Sequence, residues 1–184
     1  ACGEARLPPG ESPRPRLGGA LARARHRQRR IVPAEAARLP GWQFGTDCEA
    51  AGHVGGDFYD YFPLPGEEGR WGLVMADVSD TGVPAALFMA LSRTTIRNLA
   101  LRGRSPFDVI TWANRHIQED SQSDMFLTVF YAELDTRDGR LTYANAGHNP
   151  PLLWRAADHL FETLDPTCPP VSYTHLTLPT TDLG

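Results

Sequence analysis

The sequence predicts an α+β fold built on antiparallel sheets, and three observations carry that prediction. Segments with strand character stand on both sides of the chain's middle. Between them, from Val83, the apolar period changes to that of two consecutive helices. A hairpin turn, Asp135 to Gly139, follows the helices. Strands, then helices, then strands form an order that sets helices beside antiparallel sheets, unlike the strict alternation of a parallel fold.

Residues 1–30 stand apart from the rest, rich in Pro, Gly and Arg and ending in the basic run Arg23 to Arg30. A linker from an upstream sensor domain, with a short helix near 18–30, is favoured over a disordered basic arm or sequence read in the wrong frame. No aromatic residue interleaves these arginines, which argues against a nucleic-acid arm. Residues 39–48 read as a turn and an alternating strand with Trp42, Phe44 and Thr46 on one face. Aromatic residues 57–62 form a second strand, and 71–78, nearly all apolar, a third.

Ala85, Leu87, Met89, Ile96 and Leu99 then recur at helical spacing, with Pro84 suited to a first turn and Gly103 to a stop. Ser105 caps the next helix, Pro106 and Asp108 complete its first turn, and Phe107, Ile110, Trp112, Ala113 and Ile117 supply its apolar face. Strands return at 126–134, 140–146 and 151–155. Residues 171–181 match one reading frame of a common sequencing adapter residue for residue, so 171–184 are expected to be non-native and 31–170 to be the domain.

The chain has 184 residues, 41% hydrophobic and 22% charged, as expected of one globular domain. No apolar run approaches the roughly 20 residues of a membrane span, and no signal peptide is evident. Cys2, Cys48 and Cys168 are too few and scattered for a disulfide framework or zinc site. A reducing, cytoplasmic setting is therefore expected. The net charge of -4 divides into +6 over residues 1–38 and -10 over the remainder. An acidic body disfavours nucleic acid and suits metal cations.

Two acidic motifs carry the chemistry, Val54-Gly55-Gly56-Asp57-Phe58-Tyr59-Asp60 and Ala76-Asp77-Val78-Ser79-Asp80-Thr81-Gly82-Val83-Pro84-Ala85-Ala86. Asp77 ends an apolar strand, where an unpaired carboxylate is costly, and no basic residue lies between Arg70 and Arg93. Asp57 follows two glycines that allow a close approach. Carboxylates on neighbouring strand ends can share hard cations, and two such ions can activate water at a phosphoryl group. On spacing alone, ligand and turn-cap roles for Asp57 and Asp77 stay balanced, while Asp60 and Asp80 read as caps. His148 reads as a turn histidine bonded to backbone, and His53 and His116 as surface residues.

Those two motifs, the run Tyr143-Ala144-Asn145-Ala146-Gly147-His148-Asn149-Pro150-Pro151 and the strand Asp124 to Tyr131 resemble, in order and spacing, signatures of the bacterial branch of the PPM (PP2C-like) serine/threonine phosphatases. That branch acts in sporulation and stress response. The resemblance covers roughly residues 30–170. It implies two antiparallel sheets packed as a sandwich flanked by helices. It also implies two Mn2+ or Mg2+ ions held by Asp57, a bridging Asp77 and the carbonyl of Val78. A metal-activated water would then hydrolyse phosphoserine or phosphothreonine without a covalent enzyme intermediate.

The implied substrate is a phosphorylated anti-sigma-factor antagonist, under an upstream sensor domain, with homodimerisation permitted and no membrane contact by this domain. The helix at 83–100 is where the family couples regulation to metal binding. Two departures stand out. Asp80-Thr81-Gly82 replaces the family's Gly-His-Gly or Gly-Lys-Gly, and its later Thr-Asp-Gly and Asp-Asp motifs are missing, so the domain is expected to be partial and not fully active. A non-catalytic scaffold of the same fold is the alternative. A nucleotide cyclase, suggested by Gly55-Gly56-Asp57-Phe58, is disfavoured because residue 58 is aromatic where a second acid is required.

Overall fold

The computed structural model describes residues 13–33, 39, 41–48, 52–66, 68–120 and 124–173. Helix α1 spans Pro13–Gln28, followed by strands β1 (Phe58–Pro63) and β2 (Arg70–Val78), helices α2 (Gly82–Ala100) and α3 (Pro106–Asp120), and strands β3 (Leu127–Asp135), β4 (Leu141–Ala146), β5 (Leu152–Arg155) and β6 (Leu160–Thr163). β1 to β4 form one antiparallel sheet in chain order, and β5 and β6 a second, two-stranded one. The expected α+β architecture with antiparallel sheets is present.

The core follows from alternation along the strands. Phe58, Phe62, Val74, Ala76, Val78, Leu127, Val129 and Tyr131 bury one face of the sheet. Against it lie Ala85, Phe88, Met89 and Ile96 of α2 and Val109, Ala113 and Ile117 of α3. On the opposite face, Phe130 and Ala132 pack with Leu164, Leu153, Leu73 and Tyr143. This is where the β5–β6 sheet begins a second layer. Nearer the far end of that face Met75 stays 52% exposed.

The α3 cap matches its sequence. The Ser105 hydroxyl accepts from the Asp108 amide at 3.2 Å and donates to the Asp108 carboxylate at 2.7 Å, a reciprocal first-turn closure. Gly103 takes φ +71 in the turn between the helices, a conformation that favours glycine.

Four expectations need correction. The strand expected at 39–48 does not form. Leu39 and Trp42 make one isolated bridge, and residues 43–48 run without a ladder. The aromatics there dock singly instead: the Trp42 indole donates to the Thr136 carbonyl at 3.2 Å, and the Phe44 ring lies 6.1 Å from that of Tyr61. Phe107, expected on the buried face of α3, is 62% exposed. The helix expected near 18–30 begins five residues earlier, at Pro13. Strand β6 was not anticipated, because its Leu160-Phe161-Glu162-Thr163 is too short to show a period.

Most of the outer segments, 1–12 and 174–184, lie outside the described residues. Within the expected tail, Val171 is described: its amide and carbonyl exchange bonds of 2.8 and 2.9 Å with Leu127, and it is 1% exposed. Among the described residues no helix is long and apolar enough to cross a membrane.

Candidate metal centre

The site lies at the end of the sheet where β1 begins and β2 ends. Phe58 pairs with Ala76, so Asp57 and Asp77 fall beside each other at adjoining strand ends. Residues 57, 59, 75 and 77 share the face turned away from α2 and α3. The two carboxyl groups meet: Asp57, when protonated, donates to Asp77. Burial first, then this bond and the charge of Asp77, push the Asp57 carboxyl up to about 6, and nearby His148 works against the rise. Neither aspartate forms an ion pair with an arginine among the described residues.

Gly56 explains how Asp57 comes so close to β2. A Cβ there would lie 2.7 Å from the Val78 Cβ and 3.3 Å from the Ala85 Cβ, so only a bare backbone fits. The Val78 carbonyl is turned toward the same place. The Ser79 amide donates to the Phe126 carbonyl at 3.0 Å, which fixes the ladder's alternation. It follows that Val78's own backbone groups point to the opposite edge, the side of Gly56 and Asp57. The structure thus brings Asp57 and Asp77 together, and the ladder's alternation leaves the Val78 carbonyl on the strand edge beside Gly56.

His148 was undervalued by the sequence reading. Its backbone amide is bonded to the Asn145 side chain at 2.8 Å, as a turn histidine's would be. Its ring, however, reaches the Thr128 hydroxyl at 3.0 Å, and Thr128 pairs with Asp77 in the ladder. Burial lowers the imidazole pKa while the Asp57 charge raises it. The signal was the register of β2, β3 and β4, which a turn motif does not reveal.

Asp80 accepts from the adjacent Thr81 amide at 2.7 Å, but the residue at the α2 N-cap is Thr81 and no side chain caps that helix. Asp60 is not a cap either. It is 2% exposed on the helix-facing side of β1 and receives Arg93 and Arg97 of α2, each at 2.9 Å. Its partners lie more than 30 residues along the chain, beyond the reach of local spacing. His53 is exposed as expected, whereas His116 is half-buried.

The donor set is hard oxygen, two carboxylates and a carbonyl, which suits Mg2+ or Mn2+ over softer metals. A like-charge carboxylate pair, with Asp57 pushed up to about 6, is one that a hard cation would relieve. Among the described residues no group of three or more His, Cys, Asp or Glu converges on one point. The described residues thus bring two carboxylates together at adjoining strand ends without a third acidic, His or Cys ligand.

The sequence profile of the family described as Stage II sporulation protein E (SpoIIE) matches residues 67–182. The chain is 31% identical over 133 residues to the phosphoserine phosphatase RsbP of Bacillus subtilis (strain 168), covering 70% of this chain and 32% of RsbP. To the phosphoserine phosphatase RsbU of the same organism it is 30% identical, covering 73% of this chain and 38% of RsbU. Among solved structures, the RsbU and RsbW domains of Rv1364c from Mycobacterium tuberculosis superpose with a TM-score of 0.58 at 30% identity, covering 67% of this chain and 34% of that one. The SiaA-PP2C domain of Pseudomonas aeruginosa superposes at 0.67 with 19% identity, covering 86% of this chain and 63% of that one, a likeness of fold. The fold and these likenesses define a PP2C-like phosphatase domain. The chain belongs to the SpoIIE family. It spans about a third of the length of the curated relatives it matches.

Proposed function

We propose that this chain supplies the first half of the metal centre of a protein serine/threonine phosphatase, and the convergence of Asp57 and Asp77 carries that reading. Asp57, Asp77 and the Val78 carbonyl would hold Mn2+ or Mg2+, with Asp77 bridging two ions. Bound there, the cations supply Lewis-acid stabilisation of a phosphoryl group and lower the pKa of water.

The chain's own residues orient that chemistry. Gly56 lets Asp57 approach β2, and Thr128 and His148 close the neighbouring side. A cavity of about 470 Å³ opens from Asp57 toward α1 and includes Arg25 and Arg29 on its wall. Their guanidinium groups suit a phosphorylated substrate. By kinship with RsbU and RsbP, each named a phosphoserine phosphatase, the substrate is a phosphoserine or phosphothreonine protein, and the resemblance of the sequence motifs points to an anti-sigma-factor antagonist. The setting is cytoplasmic. A sensor domain preceding α1 and assembly as a homodimer complete the proposal.

A scaffold without catalysis is the second reading, favoured by a site of only two carboxylates among the described residues. Phosphate release separates them. A chain completed to the length of its relatives and loaded with Mn2+ should release phosphate from a phosphoserine protein, and Asp77→Asn should abolish release. A completed, loaded chain that releases none would establish the scaffold.

A further inference from the structure

Among the described residues, Gln28 of helix α1 hydrogen-bonds the loop that leads into the candidate metal centre. The Gln28 amide nitrogen donates to the Gly55 carbonyl, and the Gly55 amide donates to the Gln28 carbonyl oxygen at 3.1 Å. This paired bond satisfies both backbone groups of a residue two positions before Asp57. The bond joins residues 27 apart in sequence, so it fixes the position of α1 relative to the 52–57 loop.

On its other side the loop is held by Gly56 seated on Val78 and by Phe58 entering the ladder opposite Ala76. Asp57 therefore sits between two anchors, one inside the sheet and one outside it. Leu21, Gln28 and Val32 line the cavity that separates α1 from the loop, so this part of the loop is bridged rather than packed.

We infer that Gln28 is a positioning residue for the cation site: it holds the Gly55 backbone, and through it places the Asp57 carboxyl against Asp77. This inference rests on the metal-centre reading for its consequence, although the clamp itself does not. Partners that orient a ligand from outside the coordination shell typically contribute 10- to 100-fold in metal affinity.

The test compares wild type, Gln28→Ala, Gln28→Glu and Arg27→Ala in the whole 184-residue chain. Gln28→Glu keeps the length and the acceptor for the Gly55 amide but removes the donor to its carbonyl. Arg27→Ala changes an exposed α1 position off the clamp. Two readouts are taken: amide hydrogen exchange at residues 55–57 in chelator, and the Mn2+ dissociation constant by calorimetry.

Gln28→Ala should speed exchange at 55–57 with β3 unchanged, and weaken Mn2+ binding about 10- to 100-fold. Gln28→Glu should shift both in the same direction by less, and Arg27→Ala should shift neither. Unchanged exchange and an unchanged dissociation constant in Gln28→Ala would overturn the proposal. A lower melting temperature without either change would assign Gln28 a merely structural role and overturn it equally. Should Gln28→Ala fail to fold, Gln28→Glu decides by the same criteria. Wild type that binds no Mn2+ while Gln28→Ala speeds exchange would sink the metal reading and leave the clamp standing.

Discussion

The two ends of the four-stranded sheet treat their carboxylates in opposite ways. At the end where β2 begins and β3 finishes, Arg137 donates to Asp135 at 2.9 and 2.6 Å, Arg140 stands 3.9 Å away, and Arg70 pairs with Glu133. Hydrogen bonds from Arg137 hold the Asp135 carboxyl well below the ordinary carboxylate range. At the other end Asp57 and Asp77 face each other with no arginine ion pair among the described residues, and Asp57 is pushed up to about 6. The same contrast recurs within one strand. Asp60, three residues after Asp57 but on the opposite face, has two arginines. Among the described residues the buried acids Asp60 and Asp135 are neutralised by the chain's own arginines, whereas the more exposed pair Asp57 and Asp77 has no arginine partner.

Removing the built-in neutralisation should have the largest effect on stability. Asp60→Ala strands Arg93 and Arg97 beside the core and should destabilise the fold by about 3–5 kcal/mol, measured by urea unfolding. Asp77→Asn at the other end should do the reverse in chelator, raising the unfolding midpoint by relieving repulsion. An Asp77→Asn variant less stable than wild type without metal would break the comparison. Gly56→Ala places a methyl group 2.7 Å from the Val78 Cβ and should cost about 1–3 kcal/mol by overpacking, with weaker Mn2+ binding as Asp57 is displaced.

The pH dependences should have opposite signs and smaller sizes. Asp135 is depressed on folding, so its contribution is present above its ordinary value of 3.8 and fades as pH falls through its lower folded value. Asp135→Asn should flatten the acid limb of stability. Asp57 is raised on folding, so in chelator its contribution fades as pH rises from 3.8 through about 6. Asp57→Asn should therefore gain on wild type across that window, and a parallel pair of stability curves would contradict the assignment.

The sequence exposed what is local and concealed what depends on register. The helical period from Val83 and the Ser105 cap are encoded within a few residues, and both elements form where they were expected. The pairing of Asp57 with Asp77 followed from each standing at the end of its own strand. The reading failed at residues 39–48, where alternation was present but no ladder partner was, because a strand needs a neighbour that its own sequence does not specify. It undervalued Asp60 and His148 for the same reason: Arg93, Arg97 and Thr128 reach them through packing and strand order. Gln28 was legible only as part of a basic linker, since nothing in a polar run marks the residue whose amide meets a distant glycine.

Calorimetric titration of Mn2+ near neutral pH into wild type, Asp57→Asn, Asp77→Asn and Asp60→Asn most directly tests the central claim that the unpaired carboxylates form a cation site. Wild type should bind, and more weakly as pH falls through about 6, where Asp57 takes up a proton. Asp57→Asn and Asp77→Asn should each lose more than about 100-fold in affinity, beyond the usual effect of a residue outside the coordination shell. Any folded Asp60→Asn protein should retain the site. Equal Mn2+ binding by wild type and Asp77→Asn would contradict the account.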